Sequence, residues 1–349
     1  MAQGVASAPA LHHEQGGPSQ PRPAWKRDSH RHTYGAIDLG TNNCRLLIAR
    51  PNDSSFTVID AFSRIVRLGE GLSQTGRLST SAMDRAVAAL GVCADKLRRR
   101  NVSLSRSVAT EACRRAANGE EFADRVRDET GILLDIIEPQ EEARLAVLGC
   151  HKLLEPGDGP ALIFDIGGGS TELVLIEQSD GGPKIRAWWS APWGVVSLTE
   201  SEGKEALERP DRVKAYKRMR ERARRSFANF TAMLPAQKDG IRLLGTSGTV
   251  TTLASVHLAL PAYDRRAVDG LHVPIDAMRK ISGMISSMNY AERSSLPCIG
   301  NERADLVVAG CAILEAIIEI WPAKNLGVAD RGIREGILRS LMARDGHPL

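Results

Sequence analysis

At 349 residues the chain can bury a sizeable core, and ordinary domain sizes make two domains the natural expectation. Its 42% hydrophobic and 25% charged residues, with 32 glycines, fit a globular α/β protein and exclude collagen-like, coiled-coil and wholly disordered classes. Aromatic residues make up 4%, too few for base stacking to be the main mode of recognition, and a net charge of +4 raises no field that calls for DNA, although it tolerates a polyanionic ligand.

The opening stretch, 1–32, holds Gly, Pro, Ser and His and lacks an apolar run long enough for a signal peptide or a membrane span. Its low hydrophobicity predicts a disordered tail, in which His12, His13, His30 and His32 are solvated rather than gathered on a metal. Short β-rich runs follow at 34–38, 45–50 and 56–62, separated by Gly, Asn, Asp and Ser, and predict a meander. Met83, Val87, Leu90, Ala94 and Leu97 then alternate four and three apart, which predicts a helix over 81–99 opened by the cap-forming Ser79, Thr80 and Ser81. A strand at 105–109, a helix-turn region through Val126, a strand at 133–137 and a helix from Gln140 complete the unit. The plan restarts with strands at 161–165, 172–176 and 184–189, a helix at 210–233, a strand at 241–244 and a helix from Ser247. Two copies, each opening with an apolar strand that ends in Asp-x-Gly, predict a duplicated fold with a cleft between its halves.

Charge and cysteine patterns add less. Lys214, Lys217, Arg218, Arg220, Arg222, Arg224 and Arg225 share one broad helix face, which is either solvated surface or a wall that guides a polyanion. Lys96, Arg98, Arg99 and Arg100 form a basic run at a helix end, where cations complement the dipole. Cys44, Cys93, Cys113, Cys150, Cys298 and Cys311 lie far apart with no C-x-x-C pair, and read as small core residues of a reducing compartment. A cytoplasmic protein without DNA or membrane partners is expected.

Three turns carry chemistry. In Asp38-Leu39-Gly40-Thr41-Asn42-Asn43-Cys44-Arg45 the glycine permits a tight turn with exposed N–H groups, Thr41 and Asn42 add neutral donors for phosphate oxygens, and Asp38 is placed to hold a metal ion or its water. A β-hairpin with an Asx turn would use the same residues. In Ile163-Phe164-Asp165-Ile166-Gly167-Gly168-Gly169-Ser170-Thr171-Glu172 three glycines leave the backbone bare for a phosphate, and Asp165 and Glu172 are close enough to bracket a divalent cation; a plain hairpin needs neither. Gly245-Thr246-Ser247-Gly248-Thr249 is a strand-to-helix turn whose helix start favours an anion, or is simply capped. The phosphate-binding set expected from these turns is Gly40, Thr41, Asn42, Asn43, Arg45, Gly167, Gly168, Gly169, Ser170, Thr171, Gly245, Ser247 and Gly248.

Paired Asp-x-Gly loops on matching hairpins resemble the actin, Hsp70 and sugar-kinase superfamily, where such loops clamp phosphates and magnesium from opposite walls. With Val66-Arg67-Leu68-Gly69-Glu70-Gly71-Leu72, Ala109-Thr110-Glu111-Ala112-Cys113-Arg114, Gln140-Glu141-Glu142-Ala143-Arg144 and Asp330-Arg331-Gly332-Ile333-Arg334-Glu335-Gly336, the chain resembles the exopolyphosphatase/guanosine pentaphosphate phosphohydrolase family from about Tyr34 to its last helix. The resemblance implies an α/β fold of two ribonuclease H-like (actin-like ATPase) domains around an interdomain cleft, in a short two-domain form. Domain I would span 33–145, with helix 331–345 packing back on it, and domain II 146–330. It also implies removal of terminal phosphate from polyphosphate or guanosine pentaphosphate, Mg2+ held by Asp165, Glu172 and Asp38, Glu142 as the base that activates water, and Arg114 as a phosphate contact. By family analogy the chain would act in the stringent response and form a homodimer. Thr41 and Asn43 stand where many members have Ser; both keep a polar group. Without the resemblance Glu142 reads as an exposed helical glutamate. The competing expectations are an ATP-dependent small-molecule kinase of the same superfamily and a non-catalytic alarmone or polyphosphate sensor.

Overall fold

Tyr34, Ala36, Ile37 and Leu39 have almost no exposed surface, because β1 (Tyr34–Leu39) is the central strand of a sheet covered on both faces. The computed structural model describes residues 32–347 apart from 54, 158, 180–181, 209, 211 and 235–239. The expected tail, with His12, His13 and His30, lies outside the described residues; His32, at their edge, is exposed.

After β1 come β2 (Asn43–Pro51), β3 (Phe56–Ile65), α1 (Thr80–Arg99), β4 (Leu104–Ala109), α2 (Gly119–Thr130), β5 (Leu134–Ile136) and α3 (Pro139–Cys150). The second half supplies β6 (Ala161–Ile166), β7 (Thr171–Ser179), β8 (Gly182–Ala191), α4 (Val195–Glu202), α5 (Arg212–Ser226), β9 (Arg242–Thr246), α6 (Ser247–His257), β10 (His272–Pro274), α7 (Ile275–Ser287), α8 (Val307–Ile320), β11 (Asn325–Ala329) and α9 (Ile333–Arg344). The first sheet has the order β3-β2-β1-β4-β5 and the second β10-β11-β9-β6-β7-β8. In each, an antiparallel meander is followed by two strands parallel to its first, and β10 adds one antiparallel edge. The duplication read from the chain is therefore present, and the second sheet adds β11 and β10 to the four strands expected there.

The elements follow from side-chain pattern. In α1, Val87, Leu90 and Ala94 are buried, Met83 and Leu97 pack beside them, and the Ser79 hydroxyl caps the helix by accepting the Ala82 N–H at 3.3 Å. The helix expected at 210–233 is broken at Phe227: α5 ends at Ser226 and a separate short helix, Ala228–Met233, follows. On α5, Arg218 and Arg222 both reach Glu202 (2.7 and 2.9 Å), Arg220 reaches Glu315, and Arg224 and Arg225 reach Glu221. The basic face is thus largely neutralised surface, not a bare wall for a polyanion.

Two helices lie between the sheets. In α3, Leu145 and Ala146 join α9 and β1 in one cluster, while Ala143, Val147 and Cys150 pack on Ala161, Ile163, Val174 and Leu244 of the second sheet. The helix is continuous through the expected boundary at 145/146. From α9, Ile337, Leu338 and Met342 return to Tyr34, Ala36 and Leu47. The two helices touch backbone to backbone: a Cβ on Gly336 would lie 2.0 Å from the Leu145 carbonyl oxygen, and one on Gly149 2.0 Å from that of Gly332.

Candidate active site

Strand parity decides which groups face the inter-sheet space. Side chains two apart share a face, so Asp38 lies on the side of Ala36, toward α3 and α9, while Ile37 and Leu39 turn to α1 and α2. In the second half Asp165 shares the face of Ala161 and Ile163, with Glu172 directly across the ladder from it; Arg45 is likewise across from Asp38. These four residues line one cavity with Gly40, Thr41, Asn42, Asn43, Gly167, Gly168, Gly169, Ser170, Ser247 and Gly248. The same parity removes two expected residues. Thr171 falls on the opposite face, fully buried, and its hydroxyl donates to the Trp193 carbonyl at 2.7 Å. Gly245 faces the core as well, where a Cβ would lie 2.6 Å from Phe164, so its smallness serves packing rather than phosphate.

The two glycine turns meet each other. A Cβ on Gly168 would lie 2.9 Å from Thr41 Cβ and 3.1 Å from the Asn42 nitrogen. Not every backbone donor expected there is available: the Gly40 N–H closes its own turn on Asn43 O and the Gly167 N–H on Ser170 O, at 2.9 and 3.0 Å. The third turn contributes Ser247, Gly248 and Thr249, and Ser247 adopts a left-handed φ of 77°, unusual for a non-glycine residue and typical of a constrained site.

Glu142 reaches the cavity from the first turn of α3 and is 6% exposed, so it is no surface helical glutamate. Burial and the charge of Glu172 push its carboxyl well above the ordinary range, opposed by Arg114. Its neighbour Glu141 lies elsewhere, bound to Arg144 and Arg106, which hold it down at about 2. Arg114 does not line the cavity: it donates to Glu142 Oε2 at 2.8 Å, to the Ile137 carbonyl and to Glu111 Oε2 at 3.2 Å. Its guanidinium therefore holds the glutamate instead of presenting itself to a phosphate.

Five carboxylates (Asp38, Glu111, Glu142, Asp165, Glu172) and two guanidiniums (Arg45, Arg303) line the cavity, so a phosphate chain end needs added positive charge there. Asp165 Oδ1 is buried without a hydrogen-bond partner, as is Asn42 Oδ1. Glu172 Oε1 accepts the hydroxyls of Ser170 (2.6 Å) and Ser190 (3.0 Å), and burial beside Asp165 lifts its carboxyl to about 7. Among the described residues no group of three or more His, Cys, Asp or Glu is placed to hold a metal ion together, so Asp38, Asp165 and Glu172 do not form the three-carboxylate site expected. The donor set instead fits magnesium, which is commonly held by one or two carboxylates with water and phosphate oxygens.

Two groups at the site, Arg303 in the lining and Ser190 behind Glu172, carried no signal in the sequence. Arg303, fixed by a 2.6 Å bond to Thr252 Oγ1, is lowered by burial and by Arg45 nearby. Glu111 supports Arg114, and Ser190 faces Glu172 across the β7–β8 ladder.

Two ribonuclease H-like sheets, each presenting an Asp at the end of its central strand and a glycine turn to a shared cavity, define an actin-like fold built to handle phosphate. The family model described as the Ppx/GppA phosphatase family matches residues 47–345, and the chain belongs to that family. It is 31% identical to Exopolyphosphatase 2 of Mycobacterium tuberculosis over 88% of this chain and 97% of that one. It is 28% identical to a guanosine-5'-triphosphate,3'-diphosphate pyrophosphatase of Aeromonas hydrophila, over 89% of this chain and 60% of that longer protein. A crystal structure of the Aquifex aeolicus Ppx/GppA family member superposes with a TM-score of 0.74 at 31% identity, covering 91% of this chain and 99% of that one.

Proposed function

We propose that the chain hydrolyses the terminal phosphoanhydride bond of inorganic polyphosphate or guanosine pentaphosphate and releases orthophosphate. The observation that carries this reading is the meeting of two glycine turns from different sheets over one cavity that also contains Glu142. A phosphoanhydride already has a good leaving group, so the protein must align the chain end, offset its charge and activate water. Amides of 168–170 and of the Thr41–Asn42 turn, with Arg45, Arg303, Ser247 and Gly248, would hold the terminal phosphates. Magnesium at Asp165, with Glu172 and Asp38 close by, would offset charge on the phosphate oxygens. Glu142 takes the proton of the attacking water as the bridging P–O bond breaks; a carboxyl raised by burial is a stronger base than a solvated one. Arg114 keeps that carboxylate oriented.

We further propose the domain division 33–145 with α9, and 146–330, with α3 as the shared helix, and a cytoplasmic location. The second rests on six buried, free cysteines; among the described residues no helix is long and apolar enough to cross a membrane.

The test is orthophosphate release from polyphosphate and from guanosine pentaphosphate, side by side, with magnesium and after chelation. Turnover is expected only with the metal present. Glu142→Gln should bind polyphosphate and lose roughly 10²- to 10⁴-fold in kcat, the usual weight of a general base. Near-normal turnover in that variant removes Glu142 from the role, binding without turnover by the wild type favours a sensor, and ATP-dependent phosphorylation of a small acceptor favours a kinase.

A further inference from the structure

The carbonyls of the second glycine turn are tied down from one side. Val195 N–H donates to Gly167 O at 2.9 Å, Val196 N–H to Gly168 O at 2.8 Å, and the Ser197 hydroxyl to Gly169 O at 3.0 Å. In a trans peptide the N–H points opposite to the C=O of the same unit, so these bonds aim the amides of Gly168, Gly169 and Ser170 away from the start of α4. Glycine leaves that backbone free to turn either way; α4 decides the direction. Ser197 is buried, and its hydroxyl also accepts the Gly194 N–H at 2.9 Å. Gly194 admits no side chain, because a Cβ there would lie 2.4 Å from the Gly168 carbonyl carbon.

In the first half, too, carbonyls of the turn are held by the segment after the third strand, in the reverse order along the chain. Val66 and Arg67 N–H both donate to Asn42 O (2.9 and 3.0 Å), and Gly69 N–H to Thr41 O (2.9 Å). A Cβ on Gly69 would lie 2.3 Å from Thr41 Cγ2. Arg67, one of two successive amides converging on a single oxygen, has a left-handed φ of 47°. Segments 66–69 and 194–197 each follow the third strand of their meander, β3 and β8, within a few residues.

We infer that 66–69 and 194–197 are positioning elements, one in each half, that orient the two phosphate turns, and that Ser197 is a positioning residue for phosphate binding through the Gly169 carbonyl. The inference rests on the proposed function and extends it to residues outside the cavity's charged groups.

The experiment compares wild type, Ser197→Ala and Ser197→Thr with inorganic polyphosphate as probe: affinity by calorimetry, KM and kcat by orthophosphate release, and melting temperature. Removing a hydroxyl that pairs two buried backbone groups should raise Kd and KM about tenfold in Ser197→Ala, leave kcat within about twofold, and be largely reversed in Ser197→Thr. A purely structural serine would lower the melting temperature and leave Kd and KM unchanged, and that result overturns the inference, as does a fall confined to kcat. A wild-type chain that neither binds nor cleaves polyphosphate or guanosine pentaphosphate overturns the proposed function itself.

Discussion

Adjacent glutamates of one motif have opposite fates, and the cause is environment. Glu141 meets Arg144 and Arg106 on the surface side of α3 and stays ionised; Glu142, one residue on, turns inward to a cavity where burial and Glu172 oppose its charge. This coupling has a sign that can be measured. If Glu142 is the base, activity requires it ionised, so kcat/KM rises with pH through its raised pKa. Glu172→Gln removes a negative neighbour, makes ionisation of Glu142 easier, and should move the acid limb of the pH–rate profile to lower pH, whatever happens to its height. An unmoved limb, or one shifted upward, would show that the two carboxyls do not sense each other.

At the scale of elements, the crossing of α3 and α9 depends on glycines that allow two helix backbones to touch. Gly336→Ala would place a methyl on the Leu145 carbonyl, and the forced separation should cost about 1–3 kcal/mol in urea denaturation. Because Leu145 lies one helical turn beyond Glu142, the same variant should also lose activity. Gly283→Ala in α7 is the control: nothing lies within 4 Å of the added carbon, so helix propensity should make it neutral or up to about 1 kcal/mol stabilising. Equal stability of the two variants would refute the close crossing.

For the whole molecule, the two halves are also joined beside the cavity. Glu200 of α4 accepts the Gly71 N–H at 2.9 Å and the Ser73 hydroxyl, and Arg67 pairs with Asp305 at 3.4 Å. Such contacts contribute under about 1 kcal/mol to stability, yet they tie α4 and the Asp305 segment of the second half to the segment after β3 in the first, next to the residues that hold the two turns. Glu200→Ala should therefore leave the melting temperature nearly unchanged, raise KM for polyphosphate several-fold, and enlarge the radius of gyration measured by solution scattering. An unchanged radius with unchanged KM would show that the contact does not hold the halves together.

Local pattern was enough to find the two meanders, the helix faces and the three turns, because period-two and period-3.6 burial and glycine punctuation act over a few residues. The hydrophobic α8, buried along nearly its whole length, shows no such contrast between faces and was missed for that reason; the three-residue β10, β11 and the one-sided helix α7 were missed as well. Choosing among the residues of each turn needed the tertiary structure. Thr171 and Gly245 look as suitable as Ser170 and Ser247 until strand parity turns them to the core, and Arg114 looks like a phosphate ligand until Glu142 is found in its grip. Arg303 and Ser197 could be recognised only after folding, since a side chain's charge or hydroxyl acquires a role from partners that are distant in the chain and adjacent in space.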